Sequence, residues 1–400
     1  MGSRLGAVTW AVAGAAALSV LGAAVAGAAA ATPRTAAAAK ADPVAVYVTH
    51  VNADSTPRYP LMHTVTPIQG KTAGPAINVG DEPSAVAITP NGKTAYITNS
   101  GPENLGHTVT PIDTATNKAG PGIKVGQDPG ALAITPNGKT VYVANALSGT
   151  VTPIRTSTDR PCPAIKVGQD PSQLAITPDG KTVYVVNSNS NTVTPISTAT
   201  NTAGPAIKVA AGPDAIVITP DGRTAYVASW NSGEAGSPPG FVTPISTATN
   251  KTGPRIKVGG GPSAIAITPN GRTAYVASQD AGTVTPISTA TNKAGPAIAT
   301  GGYPTALAIT PDGKTVYVVN PGQLYYNYST VTPISTATNQ AGTPITAGYA
   351  SRAIAITPDG RFAYVVNYLD NTVTMIDTAS NRVAATIKVG NYPWAIAIAP

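Results

Sequence analysis

The chain has 400 residues, of which 11% are charged, and a formal net charge of +7. Three basic residues, Arg4, Arg34 and Lys40, lie near the N-terminus, so the remaining chain carries only +4. A charge this small, without clusters of basic and aromatic residues, is not the footprint of a nucleic-acid-binding protein, and we expect no nucleic-acid partner. The single cysteine, Cys162, excludes an internal disulfide and a cysteine-based metal site; it is either a tolerated small residue on an outer turn or a partner in a mixed or intermolecular disulfide.

The first 31 residues have the pattern of an export signal. Arg4 precedes an uncharged, alanine-rich run over residues 5–31, which ends in small-x-small sites at 24–26 and 29–31. This pattern predicts a secretory signal peptide over 1–31, a linker over 32–42 and a secreted or extracellular protein, with cell-wall association as an option. The run exceeds 18 residues, so a retained leader that anchors the chain to the membrane is the alternative.

From residue 43 onward one unit is repeated. Residues 175–187 read Ala-Ile-Thr-Pro-Asp-Gly-Lys-Thr-Val-Tyr-Val-Val-Asn, two β-rich runs joined by a tight turn. Pro sets the first turn residue, and Gly takes the left-handed position, so the stretch predicts a β-hairpin. A Thr-Val-Thr-Pro-Ile run and an Ile-Lys-Val-Gly run follow, and the whole set recurs every 42–49 residues. Four short strands per repeat predict the blades of a β-propeller.

The two ends of the repeat array complete each other. The chain enters at a second-type strand, residues 44–49, and finishes on a first-type strand, residues 394–400. Pairing of these strands would close the ring and remove its exposed edges. We therefore predict an all-β fold over residues 43–400: one propeller with eight four-stranded blades. Seven blades, with one unit outside the ring, is the alternative.

A proline interrupts the third strand in seven of the eight units. The eighth unit has Met375 instead. Because proline lacks an N–H and belongs at edges or bulges, we expect its position to face a gap in the pairing with a short outer strand.

The Tyr-Val-x-Asn segment of the repeat resembles the YVTN family of β-propeller repeats, relatives of surface-layer and NHL-type propellers. Residues 96–99, Tyr-Ile-Thr-Asn, follow a Pro-Asn-Gly-Lys turn and are the closest copy. The resemblance covers residues 43–400. It implies a secreted or cell-surface protein that serves adhesion, scaffolding or ligand binding more often than catalysis.

Length variation is concentrated in the loop between the second and third strands. This loop has four residues in four units and grows to 51–63, 100–107, 230–240 and 321–329 in the others. We expect it to share a face with the connections between blades, while the tight turns occupy the opposite face. Variable loops on a constant scaffold mark a working face.

The predicted working face offers carboxylates on one arc and aromatic rings on the other. Carboxylates opposite aromatic planes suit a sugar or a cationic peptide, although acidic residues before proline are also ordinary solvated turn residues. The candidate ligand-binding residues are Glu82, Asp128, Asp170, Tyr303, Arg352, Tyr392, Trp394, Trp230, Tyr325, Tyr326 and Tyr328.

The sequence contains no recognisable catalytic, cofactor or metal motif. All three histidines, His50, His63 and His107, lie in the first two variable loops, without the spacing of a metal site. The leading hypothesis is therefore a non-catalytic protein, with no cofactor or metal, that binds an unidentified protein or glycan of the cell envelope. A lyase or hydrolase at the channel mouth, using Glu82, Asp128 or a loop histidine, and a purely structural envelope protein are the alternatives.

Overall fold

The computed structural model describes residues 45–51, 63–101, 106–230, 239–322 and 327–400. These residues form strands, turns and loops without a helix, and among them no helix could span a membrane. The predicted signal peptide (1–31) and linker (32–42) lie outside the described residues, so their boundaries stay predictions.

The chain folds into an eight-bladed β-propeller, which confirms the predicted blade number. In each blade the first strand lies nearest the axis, and the second and third strands follow outward. From blade 1 to blade 8 the first strands are Pro393–Ile398, Pro83–Ile88, Pro129–Ile134, Pro171–Ile176, Pro213–Ile218, Pro262–Ile267, Ala306–Ile309 and Ser351–Ile356. The second strands are Ala45–His50, Thr94–Asn99, Thr140–Asn145, Thr182–Asn187, Thr224–Ser229, Thr273–Ser278, Thr315–Asn320 and Phe362–Asn367. The third strands are Thr64–Gln69, Thr108–Asp113, Thr150–Arg155, Thr192–Ser197, Gly240–Ser246, Thr283–Ser288, Thr330–Ser335 and Thr372–Asp377.

The outer strand is split into two short segments in blades 1–7 and is continuous only in blade 8. Blade 8, where Met375 replaces the proline, has a seven-residue outer strand, and Met375 pairs with Ala385. The expected gap opposite the proline is therefore confirmed, because the missing N–H coincides with the break in pairing. From blade 1 to blade 7 the paired segments are Thr72–Ala73 and Ile77–Asn78, Lys118–Ala119 and Ile123–Lys124, Arg160–Pro161 and Ile165–Lys166, Thr202–Ala203 and Ile207–Lys208, Lys251–Thr252 and Ile256–Val258, Lys293–Ala294 and Ile298–Ala299, and Gln340–Ala341 and Ile345–Thr346; in blade 8 the strand is Arg382–Lys388.

Blade 1 closes the ring with strands from both ends of the chain, as predicted. The C-terminal strand pairs antiparallel with the strand that starts at Ala45, and Val48 lies opposite Ile396. The amide of Ala399 donates to the carbonyl of Ala45 at 2.9 Å, so the pairing extends to the end of the strand. The first strands of blades 8, 1 and 2 then contact one another like those elsewhere in the ring.

The core consists of layers between adjacent blades. First strands carry alanine on one face and a larger aliphatic residue on the other, so the small face of one blade receives the large residue of the next. Between blades 1 and 2, for example, Ala395 and Ala397 pack in one cluster with Val86 and Ile97. Hydrophobic burial is thereby shared by neighbouring blades rather than held within each one.

A buried tyrosine on each second strand connects its blade to the next. The hydroxyl of Tyr184 donates to Asn250 Oδ1 at 2.7 Å, in the turn between the third and outer strands of blade 5. Six other blades repeat this bond to an Asn or Asp, and Tyr364 of blade 8 donates to the carbonyl of Gly70 in blade 1. The acceptor Asn residues stand at positive φ, +55° for Asn250, a conformation that asparagine tolerates better than most residues.

The two tight turns of each blade lie together on one face, which we call the turn face. Thr198 of one turn donates to the carbonyl of Gly180 in the other at 2.6 Å, and the six other blades among blades 2–8 repeat this bond. The opposite face, the loop face, carries the blade connections and the loops between second and third strands. The amide of Gln127 in a connection, for example, donates to Ser148 Oγ in a loop.

We predict that blade 1 is as firmly held as an internal blade. Ile396 and Ile265 occupy equivalent positions and are each 1% exposed. Either isoleucine-to-alanine change should lower the free energy of unfolding by about 2–5 kcal/mol, because both remove buried methylene groups and leave a cavity. Urea unfolding of the two variants measures this. A much smaller loss for Ile396→Ala would mean that the closing strand frays.

We also predict that the inter-blade tyrosine bond contributes measurably to stability. Tyr184→Phe should lower the free energy of unfolding by about 1 kcal/mol, because it removes one hydrogen bond without opening a cavity. Tyr303→Phe is the control, since this ring is 50% exposed. Equal unfolding midpoints for both variants and the parent chain would contradict the assigned role.

Candidate functional site

The inner rim of the loop face consists of the residues that flank the start of each first strand. The residue just before the strand has a positive φ of 50–64° in seven blades, including Glu82, Asp128, Asp170, Ala350 and Tyr392. One hydrogen bond explains this conformation, because the carbonyl of that residue accepts the amide of the residue that follows the second strand. For Asp128 this donor is Ala146, at 2.8 Å. The bond holds non-glycine residues in a costly conformation and fixes where their side chains project.

Three predicted carboxylates lie side by side on the inner rim. Burial raises the pKa of Asp128 to about 6, and the charge of Asp170 adds to the effect. Burial also raises the pKa of Glu82, with contributions from Asp81 and Asp128, and raises the pKa of Asp170. The groups therefore form one acidic arc over blades 2–4, in which the charge of one carboxylate raises the pKa of a neighbour.

A fourth carboxylate, Asp214, extends this arc into blade 5. Burial raises the pKa of Asp214 to about 6; a hydrogen bond from Trp230 opposes the shift, and the charge of Asp170 adds to it. Sequence reasoning missed Asp214 because it follows the connecting proline, whereas the column of acids precedes it. The sequence did contain a sign of this difference: the equivalent residues in blades 2–4 are Ser84, Gly130 and Ser172, so blade 5 places a charge where these blades have a small uncharged residue.

The other side of the rim carries a cation enclosed by aromatic rings. The Arg352 guanidinium carbon lies 4.2 Å from the centre of the Trp394 ring and 4.5 Å from that of Tyr368. Tyr368 in turn contacts Tyr392, with 5.4 Å between ring centres. The predicted residues Arg352, Tyr392 and Trp394 are thus brought together, and Tyr368, which the sequence analysis missed, completes the cluster.

Arg352 has no carboxylate partner among the described residues. Its Nε atom is buried without a hydrogen-bond acceptor, and burial lowers the pKa of the guanidinium. Stacking on two rings holds the cation in place but leaves donors unused. A guanidinium without a carboxylate partner can donate hydrogen bonds to a carboxylate or phosphate of a ligand.

The remaining predicted residues are more dispersed. Tyr328 is 56% exposed and stacks on Tyr349, with 4.2 Å between ring centres, while Tyr303 is exposed and does not adopt the positive φ of the other rim residues. Trp230 joins the site through Asp214. Tyr325 and Tyr326 lie outside the described residues.

The three histidines do not assemble into a catalytic group. His50 is fully buried in the position that Asn99 holds in blade 2, with its Nε2 atom 2.8 Å from Thr66 Oγ1 and its Nδ1 atom 3.1 Å from the carbonyl of Asn391. Burial lowers the pKa of His50 to about 4, so the ring is neutral and structural at physiological pH. His63 lies 3.9 Å from Asp81 near the surface, and His107 is exposed. Within the described part of the chain, no three potential ligands cluster as a metal site.

The rim as a whole combines proton acceptors and an anion receptor around one axis. In an eight-bladed ring, Arg352 of blade 8 lies across the axis from blade 4, which carries Asp170. A carboxyl with a pKa near 6 can take a proton from water at neutral pH, and a desolvated arginine can hold a negative charge on the same ligand. The arrangement suits the hydrolysis of an anionic substrate.

Comparison with known protein families supports the assignment of this chain to the β-propeller repeat proteins. A family model described as "Lactonase, 7-bladed beta-propeller" matches residues 109–210 and 306–389. The first segment holds Asp128 and Asp170, and the second holds Arg352. Together with the fold, the match shows that the chain is a β-propeller repeat protein, here with eight blades. No curated protein sequence matches the chain significantly.

Solved structures give the same fold. Hydrazine synthase of Kuenenia stuttgartiensis is 26% identical, with a TM-score of 0.60 over 74% of this chain and 96% of that one. Dihydro-heme d1 dehydrogenase NirN is 17% identical, with a TM-score of 0.72 over 88% of this chain and 74% of that one. A putative 6-phosphogluconolactonase from Bacteroides uniformis is 15% identical, with a TM-score of 0.59 over 90% of this chain and all of that one.

These matches correct the leading functional hypothesis. The predictions of a non-catalytic binding protein and of a chain that is not an enzyme were wrong, because the matching family model describes a lactonase and the 26% identical hydrazine synthase is an enzyme. The alternative of a hydrolase at the channel mouth has the better support. The error has a physical reason: the titratable groups come from separate blades, so no contiguous motif reveals them.

We predict that Asp128 makes stability fall between about pH 4 and pH 6. Its folded-state pKa of about 6 lies above the ordinary value of 3.8, so its contribution is complete below pH 4 and is lost as the pH rises through 6. Asp128→Asn should therefore raise the unfolding free energy at pH 7 by on the order of 1 kcal/mol, after allowance for solvent screening. Asparagine also tolerates the positive φ.

Urea unfolding of the parent chain and Asp128→Asn at pH 4 and pH 7 measures this effect. The control is Asp113→Asn, since Asp113 is exposed on the turn face and its pKa is lowered by hydrogen bonds from Thr116. A stability difference for Asp128→Asn that is the same at both pH values would contradict the assigned burial of the carboxyl.

Proposed function

We propose that the inner rim of the loop face hydrolyses a lactone or a related cyclic ester that carries an anionic group. One observation carries the proposal: of the two segments that match the lactonase model, the first supplies Asp128 and Asp170 of the acidic arc and the second supplies the unpaired Arg352. A scaffold that needed these groups only for folding would pair the arginine with a carboxylate.

In the proposed reaction, Asp128 acts as the general base. Its carboxylate takes a proton from a water molecule as that water attacks the carbonyl carbon of the ring ester. The tetrahedral intermediate then breaks the bond to the ring oxygen, and the proton returns from Asp128 to this leaving oxygen. The product is a hydroxy acid, and the base is restored without a co-reactant.

In this scheme Arg352 positions the substrate. Its stacked guanidinium holds the anionic substituent, while Trp394 and Tyr392 offer an apolar wall for the ring carbons. Binding of the negative charge at Arg352 keeps the substrate anion away from the acidic arc, which would otherwise repel it. Burial, with the charge of Asp170 added, keeps the pKa of the base Asp128 at about 6.

The proposal also includes the setting. The leader over residues 1–31 supports export, and the Tyr-Val-x-Asn segments support kinship with the YVTN type of repeat. An exported hydrolase of this kind would act on cyclic esters outside the cytoplasm.

We predict that purified protein opens anionic lactones and that Asp128→Asn lowers kcat by about 10²–10⁴-fold. The parent rate should rise with pH through about 6, as the base loses its proton, and this limb should vanish in the variant. Titration of the released acid at constant pH, over lactones with and without a carboxylate or phosphate group, measures both quantities.

Arg352→Gln supplies the matched test of substrate charge. It should raise KM for anionic lactones by about tenfold or more and leave neutral lactones unaffected, because it removes only the charge receptor. Asp113→Asn, remote on the turn face, is the control for general effects. Absence of turnover on the whole lactone panel, or full activity of Asp128→Asn, would refute the proposed reaction.

A further inference from the structure

The turn face carries a strong excess of positive charge. Its tight turns hold fourteen basic and seven acidic side chains, whereas the rest of the chain beyond residue 40 has more acidic than basic residues. The basic residues are Lys71, Lys93, Lys118, Lys139, Arg155, Arg160, Lys181, Arg223, Lys251, Arg272, Lys293, Lys314, Arg361 and Arg382. The acidic residues are Asp113, Asp159, Asp179, Asp221, Asp312, Asp359 and Asp377.

Seven of these cations form a regular ring, one after the turn glycine of each of blades 2–8. Four of them have a carboxylate in the same turn, and three of these four form an ion pair with it; Lys181 Nζ, for instance, lies 3.4 Å from Asp179 Oδ2. The fourth is Arg361, whose charge lowers the pKa of Asp359. Lys93, Lys139 and Arg272 have an asparagine at that position and form no ion pair with any described residue.

The fold does not require the charges of these three residues. Asn91 Oδ1 accepts the Thr89 hydroxyl at 2.7 Å and the Lys93 amide at 3.0 Å, and Asp179 makes the same two contacts in its own turn. The Lys93 carbonyl accepts the amide of Thr114, so the residue takes part in the turn through its backbone alone. Its side chain is exposed, and the protection of sheet edges does not explain it, because turns have no edge to protect.

The turn face also lacks apolar anchors. The exposed large hydrophobic residues of the described chain are Leu147, Tyr303, Tyr328 and Val383, and none belongs to a tight turn. Insertion into a lipid surface normally combines basic residues with exposed aromatic or aliphatic ones. A rigid, cationic and polar face suits a flexible chain of negative charges better than a bilayer.

We infer that the turn face docks a linear polyanion, a polymer with repeated phosphate or carboxylate groups. The ring of cations allows many registers, so recognition follows charge density rather than monomer identity. Docking on this face leaves the loop face, with Asp128 and Arg352, open on the opposite side. The inference does not depend on the proposed hydrolase activity.

Binding of the full chain to immobilised long-chain polyphosphate and to polygalacturonate, over a series of salt concentrations, tests the inference. The triple variant Lys93→Gln, Lys139→Gln, Arg272→Gln should bind both polymers roughly tenfold to hundredfold more weakly than the parent. Parent binding should weaken steeply with salt, because the Debye length falls from about 10 Å at 0.1 M to about 3 Å at 1 M.

The matched control removes the same charge from another surface. Lys124, Lys208 and Lys257 are exposed on outer strands, next to the loop-face ends of the third strands. Their triple change to glutamine should weaken binding by less than about threefold. Unfolding midpoints and lactone turnover of both triples, measured in parallel, separate a docking defect from misfolding and from loss of the proposed reaction.

Three results would overturn the inference. One is an absence of parent binding to both polymers at low salt. Another is equal weakening by the two triples, which would show that net charge acts without a defined face. The third is tighter binding to phosphatidylglycerol vesicles than to either polymer, which would make the face a membrane contact.

Discussion

Closure of the ring is the constraint on which the rest of the structure depends. The first strand of blade 1 comes from the C-terminus, and its register with Ala45–His50 fixes Trp394 at the inner rim. Arg352 belongs to blade 8, so its stack against Trp394 exists only because blades 8 and 1 meet. The same pairing that completes the hydrophobic layers therefore also builds half of the candidate site.

The architecture of this chain could be predicted largely from its sequence, because the residue pattern within each repeat indicates its own strands and turns. The out-of-phase ends predicted closure, and the substitution of Met375 for proline predicted where the outer strand becomes continuous. Both are local or periodic features. The positive φ of Glu82 and Asp128 was not predicted, because it results from a hydrogen bond to a loop-face residue more than 15 positions away.

The site was only partly predictable for a related reason. A column of residues before the connecting proline revealed Glu82, Asp128 and Asp170, but Asp214 and Tyr368 stand in other columns and join through space. The enclosure of Arg352 depends on a contact with Trp394 across the boundary between blades 8 and 1. A search for contiguous motifs could not find a site of this kind. Because the sequence showed no such motif, we expected a non-catalytic protein.

The two faces of the propeller differ in their chemistry: the turn face carries most of the basic residues, and the loop face carries the acidic arc and Arg352. Thr-Pro-Asp/Asn-Gly turns use either a charged or a neutral acceptor, and the bond from the backbone amide is 3.0 Å long in both cases, so charge on the turn face varies without a change in backbone. The loop face is less tolerant, because its rim residues are strained and share hydrogen bonds with neighbouring loops. The repeated strands and turns provide the stability of the fold, and the side chains that differ most between blades lie at the inner rim of the loop face.

Eight nearly identical blades bring a hazard, since each outer strand is a template for a foreign strand of similar sequence. The prolines of the third strands limit this hazard. The outer edges of blades 1–7 offer only two or three paired residues at a time, too few to fix the register of an incoming strand. Only Arg382–Lys388 presents an unbroken border, and a basic residue stands at each end of it. One proline in each of seven third strands thus leaves seven outer edges too short to offer a continuous template for a foreign strand.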